Sequence, residues 1–502
     1  MSSSAPETTS IWRRTGAPPE FAPLPGSTSA EVVVIGAGVT GLTTALLLAG
    51  SGVQVTLVEA GGIGAGTTGD TTGKVTSQHG MIYRDLTERH GEATARAYGQ
   101  VNEQAIEQIE ALCRTHDIDA GFQRRAAYLY TTAQDRVAEL HAEFDAARRL
   151  GLPANWVDDP ELPFDVAGAV RFDDQAQLHP MDYLAGLAAT LASMPGATVH
   201  TSTRAVNVTE TDGRVVVTTE RGEITADHAV LATLSPITDR GFEFARLSPV
   251  RAYGISVAVD DPGFEGMYLS VDDPSWSLRR YDDGRTRQVV VVGGSHPVGR
   301  APKEDGRFEL LERFAREHFE VREVTARWSA QDHTAMDRLP FIGRTAFSGH
   351  IHVATGFQKW GLSAGTFAAH LLTDLITGRD NPHAATFAPT RLEVTAEATS
   401  FLKHNLEVAR MFVEDRVRPE AASIDDIPPG QGATVRLGAD LVAVSKDHEG
   451  NVTRRSATCT HLGCVVRWNR AEASWDCGCH GSRFDREGRV LNGPATTPLR
   501  ER

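Results

Sequence analysis

Val32-Val33-Val34-Ile35-Gly36-Ala37-Gly38-Val39-Thr40-Gly41, a small-residue and leucine run to Gly50, and then Val53-Gln54-Val55-Thr56-Leu57-Val58-Glu59 decide the fold of this chain. The unbroken apolar run Val32 to Ile35 suits a strand covered on both faces in a parallel sheet. Val53 to Val58 repeats that character after a helix that ends near Gly50. The glycines between have separate tasks: Gly36 permits a tight turn, Gly38 lets the backbone approach a pyrophosphate at the helix N-terminus, and Gly41 lets the helix pack closely on the strand. Glu59, just past the second strand, is placed for a ribose hydroxyl. Strand, glycine turn, helix, strand and terminal acid predict a doubly wound α/β domain that binds a dinucleotide.

Outward from this core, Gly61 to Lys74 is a small-residue loop dense in backbone N–H groups and hydroxyls, suited to wrap a second phosphate and a flavin ring. Residues 87 to 150 carry helical spacing, as in Ala105, Ile109 and Leu112, and place Cys113 as a small core residue. Thr198 to Ala232 alternates like strands, with turns at Asp212-Gly213 and Arg221-Gly222. Arg251 to Val259 and Arg287 to Val292 alternate likewise, so an antiparallel layer is expected within the dinucleotide fold. Ile351 to Gly356 reads as a returning strand and Gly361 to Ile376 as a helix facing the cofactor. A further helix is expected from Val394 to Val417, then a linker through Pro428-Pro429-Gly430. The expected division is an N-terminal extension at 1–30, a body at 31–390, a linker helix and Pro-rich linker at 391–430, and a final module at 431–502. The nucleotide-binding parts of the body are expected at about 31–90, 195–240 and 335–380.

Composition excludes several classes. No apolar stretch approaches the run of about 18 residues that a membrane span needs, and Met1 to Gly26 has no apolar core of a secretory signal, so a cytoplasmic location is expected. A net charge of −15 disfavours nucleic acid or anionic membrane as partner. The charge is uneven: residues 431–502 hold eleven Lys and Arg against eight Asp and Glu, leaving −18 on the rest. Opposite charges that help the modules dock, or simply two solvated surfaces, both fit that asymmetry.

Four of the five cysteines lie in the last 44 residues, in Cys459-Thr460-His461-Leu462-Gly463-Cys464 and Cys477-Gly478-Cys479-His480-Gly481-Ser482. Paired Cys and His motifs of this kind ligate a Rieske centre, two thiolates on one iron and two imidazoles on the other. Zinc on the same ligands is the competing reading. The segment from about Ile424 resembles the Rieske domains of cytochrome bc complexes. The resemblance implies an all-β [2Fe-2S] module with Cys459, His461, Cys477 and His480 as ligands. It also implies a disulfide between Cys464 and Cys479, and a covering loop at Asn492-Gly493-Pro494-Ala495.

The glycine motif, Gly69-Asp70-Thr71, Ala232-Thr233, Leu339-Pro340-Phe341-Ile342-Gly343 and the Gly356 to Gly365 segment resemble the D-amino-acid oxidase and sarcosine oxidase family, across roughly residues 30 to 380. The resemblance implies an FAD-binding Rossmann-like domain with an inserted antiparallel-sheet substrate domain (α/β, α+β). Gly36, Gly38, Gly41 and Glu59 would serve the ADP half. Thr68, Thr71 and Lys74 would lie along the pyrophosphate and flavin, the backbone of Val206 near adenine, and Gly361, Leu362 and Ser363 near the pyrimidine edge of the ring. Trp328 to His333, where some sarcosine oxidases carry a flavin-tethering cysteine, has none, which excludes covalent attachment by that route. Lys74, His79 and Lys359 are the candidate catalytic groups near the ring.

A hydride-accepting flavin beside a one-electron cluster points to an enzyme that oxidises the CH–NH bond of an amine or amino acid and passes electrons to an external acceptor protein. Reversed flow from a reductase, and a redox carrier or sensor without turnover, are the alternative readings.

Overall fold

A computed structural model describes residues 8–238, 241–299, 306–391 and 419–502, with Leu406, Arg410, Phe412, Glu414 and Arg416. The expected helix from Val394 to Val417 lies largely outside the described residues; those five isolated positions are helical.

The strands Val32–Ile35 and Val55–Val58 pair in parallel, Val32 opposite Val55, and every residue of both is buried. They sit inside a six-stranded sheet ordered Ala197–His200, Val55–Val58, Val32–Ile35, His228–Leu231, Ile351–Thr355, Phe341–Arg344. Only the last strand runs antiparallel to its neighbour. Helices Val39–Gly50 and Gly361–Ile376 pack against each other, and the main core runs through both. The apolar runs thus behave as strands shielded on both faces, which is why their sequence shows no alternation.

The antiparallel material of the body falls into three sheets, the shortest made of Lys74–Val75, Ala176–Gln177 and Gln123–Arg124. Ala205–Thr211, Arg214–Thr219 and Gly222–Ala226 form consecutive hairpins in a small sheet of their own, edged by Thr28–Ser29. The larger layer is an eight-stranded sheet in which Val321–Ala335, Leu247–Val259, Arg287–Pro297 and Trp276–Asp282 are successive neighbours. It is extended through Met267–Ser270 by Ala127–Thr131, Gly168–Phe172 and Ala154–Val157, the first of them set between the helices expected in residues 87 to 150. Two small antiparallel sheets, of three and four strands, make up the C-terminal module between Gly432 and Asn492. No helix among the described residues is long and apolar enough to cross a membrane.

The N-terminal extension carries a short helix, Ile11–Thr15, capped by the Ser10 hydroxyl. Trp12 is fully buried and its indole N–H donates to the Thr71 carbonyl at 2.6 Å. Ser10 Oγ donates to the Gly69 carbonyl at 2.5 Å, and Arg13 pairs with Asp70 at 2.9 Å. This segment therefore braces the glycine- and threonine-rich loop from beneath. Trp12→Ala removes a large buried ring and a hydrogen bond to that loop. It is expected to lower stability by about 3–5 kcal/mol in chemical denaturation; unchanged unfolding would show that the segment does not support the loop.

Candidate functional site: a nucleotide cleft beside a cysteine and histidine module

A cleft of about 270 Å³ opens at the C-terminal ends of the parallel strands. Gly36, Gly38, Glu59, Thr68, Thr71, Gly361 and Leu362 line it, seven of the expected cofactor-binding positions. Gly41 lies behind the wall: a Cβ there would stand 1.9 Å from the Gly36 carbonyl oxygen, so only glycine lets the helix sit so close to the turn. Helix Val39–Gly50 begins at Gly38 without a side-chain cap, as an anion-binding helix end requires. The Glu59 carboxylate accepts the Ala37 and Gly61 N–H groups at 2.8 Å each. Val206 is not in the lining; its neighbours Arg204 and Ala205 are, and a register shift between Ala205 and Asn207 leaves Val206 outside the strand pairing. Ser363 is buried behind the wall, its hydroxyl donating to the Thr76 carbonyl at 3.0 Å.

A second cavity of about 420 Å³ lies on the large sheet, walled by residues such as Met81, Tyr253, Leu269, Trp328 and Trp360. Thr67, Thr71, Asp332 and Lys359 line both spaces, so the two meet there.

The three candidate catalytic residues fare differently. Lys74 lines neither space: its ammonium donates to the Tyr268 carbonyl and to Ser277 Oγ, each at 2.7 Å, and burial with nearby Arg279 holds it well below the ordinary lysine range. It ties the flavin-loop strand to the sheet. His79 lines the second cavity, stacked on Trp360 with centroids 4.6 Å apart. Its Nδ1 meets Tyr98 Oη and its Nε2 meets the Thr76 carbonyl, both at 2.6 Å, while burial lowers its pKa to about 3. Burial thus favours the neutral imidazole, with both nitrogens engaged in hydrogen bonds. Lys359 reaches Ser295 Oγ at 2.6 Å; burial lowers its pKa, opposed by Asp332, and its place on an open cavity lets water moderate the shift.

Asp332 is the residue that sequence reasoning passed over. It is 6% exposed and accepts the backbone N–H groups of His333, at 2.7 Å, and Lys359. Burial nevertheless raises its pKa to about 6, outweighing those bonds and the Lys359 charge. An acid inside the strand Val321–Ala335 has no motif to announce it; its signal is the polarity of Gln331-Asp332-His333 in the buried part of that strand.

In the C-terminal module, the disulfide Cys464–Cys479 joins the two cysteine loops, with Cα atoms 6.5 Å apart. The sulfurs of Cys464, Cys477 and Cys479 lie within 4.8 Å of one another, but two of them are spent in that bond. Cys459 and Cys477 remain as buried thiols, hydrogen-bonded to each other. The His461 and His480 rings stand edge to face, centroids 5.0 Å apart, and Phe244 of the body meets both edge-on at 5.5 and 5.0 Å. Two thiols and two imidazoles from paired loops match the donor set of a Rieske cluster, as the open helix end and Glu59 match a dinucleotide.

The module docks on the body through buried contacts. Arg251, on the strand Leu247–Val259, forms a buried ion pair with Glu472, which Arg483 also holds at 3.0 Å. Gln331 Nε2 donates to the Gly481 carbonyl at 2.8 Å. A Cβ at Gly481, whose φ is +84°, would stand 2.6 Å from Pro249, so this approach also needs glycine.

Fold and site together define a flavin-dependent oxidoreductase carrying its own iron–sulfur module. The chain matches the FAD dependent oxidoreductase family over residues 31–375 and the Rieske [2Fe-2S] domain over 418–501, and it belongs to both. It is 34% identical over 499 residues to the putative Rieske 2Fe-2S iron-sulfur protein YhfW of Bacillus subtilis, covering 99% of this chain and 97% of that one. It is 24% identical to gamma-glutamylputrescine oxidoreductase of Escherichia coli over 71% of this chain and 86% of that protein. Glycine oxidase from Geobacillus kaustophilus shares the fold, with a TM-score of 0.61 at 20% identity over 72% of this chain and 99% of that one. FAD and a [2Fe-2S] cluster are accordingly its cofactors, as the resemblances implied.

Glu472 supplies a direct test of docking. Burial pushes its pKa up, but Arg251 and Arg483 outweigh that and hold it at about 2 against an ordinary 4.5. Its folded pKa is depressed, so its stabilisation is complete above about 4.5 and is lost as pH falls through about 2. Glu472→Gln leaves Arg251 buried without its counter-charge, a loss of about 3–5 kcal/mol. The expected readout is faster proteolytic release of the C-terminal module at neutral pH, and equal release rates would dismiss the pair as the latch.

Proposed function

We propose that this enzyme oxidises the CH–NH bond of an amine or amino acid and relays the electrons through its Rieske domain to an external one-electron acceptor protein. The observation that carries this reading is one tripeptide. Gln331 holds the Gly481 carbonyl beside the ligand His480, Asp332 lines both the nucleotide cleft and the second cavity, and the His333 ring lies 3.3 Å from the position of a Cβ on Gly481. Substrate space, flavin cleft and cluster loop thus meet on one strand. Relatives named for gamma-glutamylputrescine and glycine support an amino compound as substrate.

FAD supplies the hydride acceptor when bound, and the cluster supplies one-electron transfer. Gly36, Gly38, Glu59, Thr68, Thr71, Gly361 and Leu362 would hold the first, with Gly41, Val206 and Ser363 shaping its surroundings; Cys459, His461, Cys477 and His480 would hold the second. Oxidation removes a proton and then a hydride from the substrate ammonium, leaving an iminium that water hydrolyses. The proton is the part this chain's own residues handle. Asp332 in its carboxylate form pairs with a substrate ammonium and accepts its proton, because only the free amine has the lone pair that assists hydride departure. Tyr253, Leu269 and Trp328 give the substrate an apolar wall, and the two backbone N–H bonds, then the Lys359 charge, favour the Asp332 carboxylate against the cost of its burial.

Anaerobic mixing with an accepted amine is expected to bleach the flavin band and bring up the EPR signal of the reduced cluster; bleaching with a silent cluster would sink the relay. The pH dependence follows from Asp332. Its base form is needed, so kcat is expected to rise as pH climbs through about 6. Lys359 is the charge that reaches it, while Arg338, Asp70 and His79 line the same cavity. Asp332→Asn should lower kcat by about 100-fold or more and remove that limb, and a wild-type limb persisting in the variant would assign it elsewhere.

A further inference from the structure

The nucleotide cleft does not draw its lining from the flavin body alone. Leu491, Asn492, Gly493, Ala495 and Thr496, all from the Rieske domain, line it together with Arg204 and Ala205. We propose that this loop, Leu491 to Thr496, is a structural part of the FAD site, and that FAD and the cluster therefore bind cooperatively. The inference rests on the reading that this cleft holds FAD.

The loop has two faces. Toward the cluster loops, the Ala495 N–H donates to Ser482 Oγ at 3.0 Å, two residues beyond His480, and Thr460 Oγ1, next to His461, donates to the Thr497 carbonyl at 2.6 Å. Toward the body, Arg204 donates to the Val490 carbonyl at 3.2 Å, and Gly493 lies beside Ile237. Leu491 is 49% exposed, an apolar side chain left open on the cleft where a bound ligand would cover it. Each cofactor thus orders the same short segment. Whichever binds second meets a loop already in place and loses less conformational freedom, and the coupling must be equal in both directions. The Rieske domain then has a role in flavin retention separate from carrying electrons.

The test uses full-length protein stripped of FAD and titrated with FAD, binding followed by flavin fluorescence and the cluster followed by EPR. Leu491→Ser cuts the wall alone; Cys459→Ser removes a cluster ligand; Thr460→Val, at a partly exposed position, loosens the loop from the cluster side without removing a ligand. Each is expected to raise the FAD Kd by about fivefold or more, with Leu491→Ser keeping the wild-type cluster signal. Conversely, iron should leave the FAD-free protein faster in chelator than the FAD-bound one. Wild-type affinity in Leu491→Ser, while Glu59→Ala in the body's part of the lining binds weakly, overturns the shared wall and leaves the FAD cleft standing. Wild-type affinity in both Cys459→Ser and Thr460→Val overturns the coupling. FAD binding unaffected by Glu59→Ala places the flavin elsewhere and removes the proposal together with the reading beneath it.

Discussion

Glu472 is a carboxylate buried between two arginines, Arg251 of the large sheet and Arg483 of its own module, with the Ser329 hydroxyl completing the set. Removing an ion pair of this kind from water costs several kcal/mol per charge, and the mutual attraction largely offsets that cost without much exceeding it. Its consequence is therefore orientation more than stability. Three charged groups with fixed hydrogen-bonding directions admit one arrangement of module on body. In that arrangement Gly481 meets Gln331, Phe244 meets the two histidines, and Leu491 to Thr496 closes the cleft.

The bulk charges of the two parts do not account for this docking. The body is acidic and the module basic, yet at the buried pair the body supplies the arginine and the module the glutamate. Long-range attraction between unlike surfaces is screened beyond about 8–10 Å in salt and has no angular preference. The buried pair is screened far less and is directional. Net charge acts on encounter, and Glu472 acts on register.

Legibility in the sequence followed the reach of each interaction. Val32–Ile35, Val55–Val58 and Gly361–Ile376 were readable because their apolar runs and glycines obey local rules of strand, turn and helix. The donor set was readable because close spacing of Cys and His has few other causes, and the disulfide was what the resemblance to Rieske domains implied. Trp12 was not: a five-residue helix in a Ser- and Pro-rich segment shows no period, and its partner Thr71 is 59 residues away. Lys74 looked catalytic by its place after the glycine loop, but its strand pairing with Gln177 turns the amine toward Tyr268. Asp332 looked unremarkable because its environment is made by cavity walls that come from several separate strands and loops.

Fusing the two cofactor domains changes what their interface has to achieve. Separate proteins meet at a rate set by concentration, and their contact must be loose enough to release. Within one chain the encounter is intramolecular and independent of bulk concentration, so affinity matters little and reproducible geometry matters most. The contacts seen here suit that demand. They are directional, and they fall on the turn that carries Glu472, on the ligand loop at Gly481 and next to the covering loop at Val490. An interface built this way favours a single register over release, which suits a module whose residues Leu491 to Thr496 line the same cleft as the glycine turn.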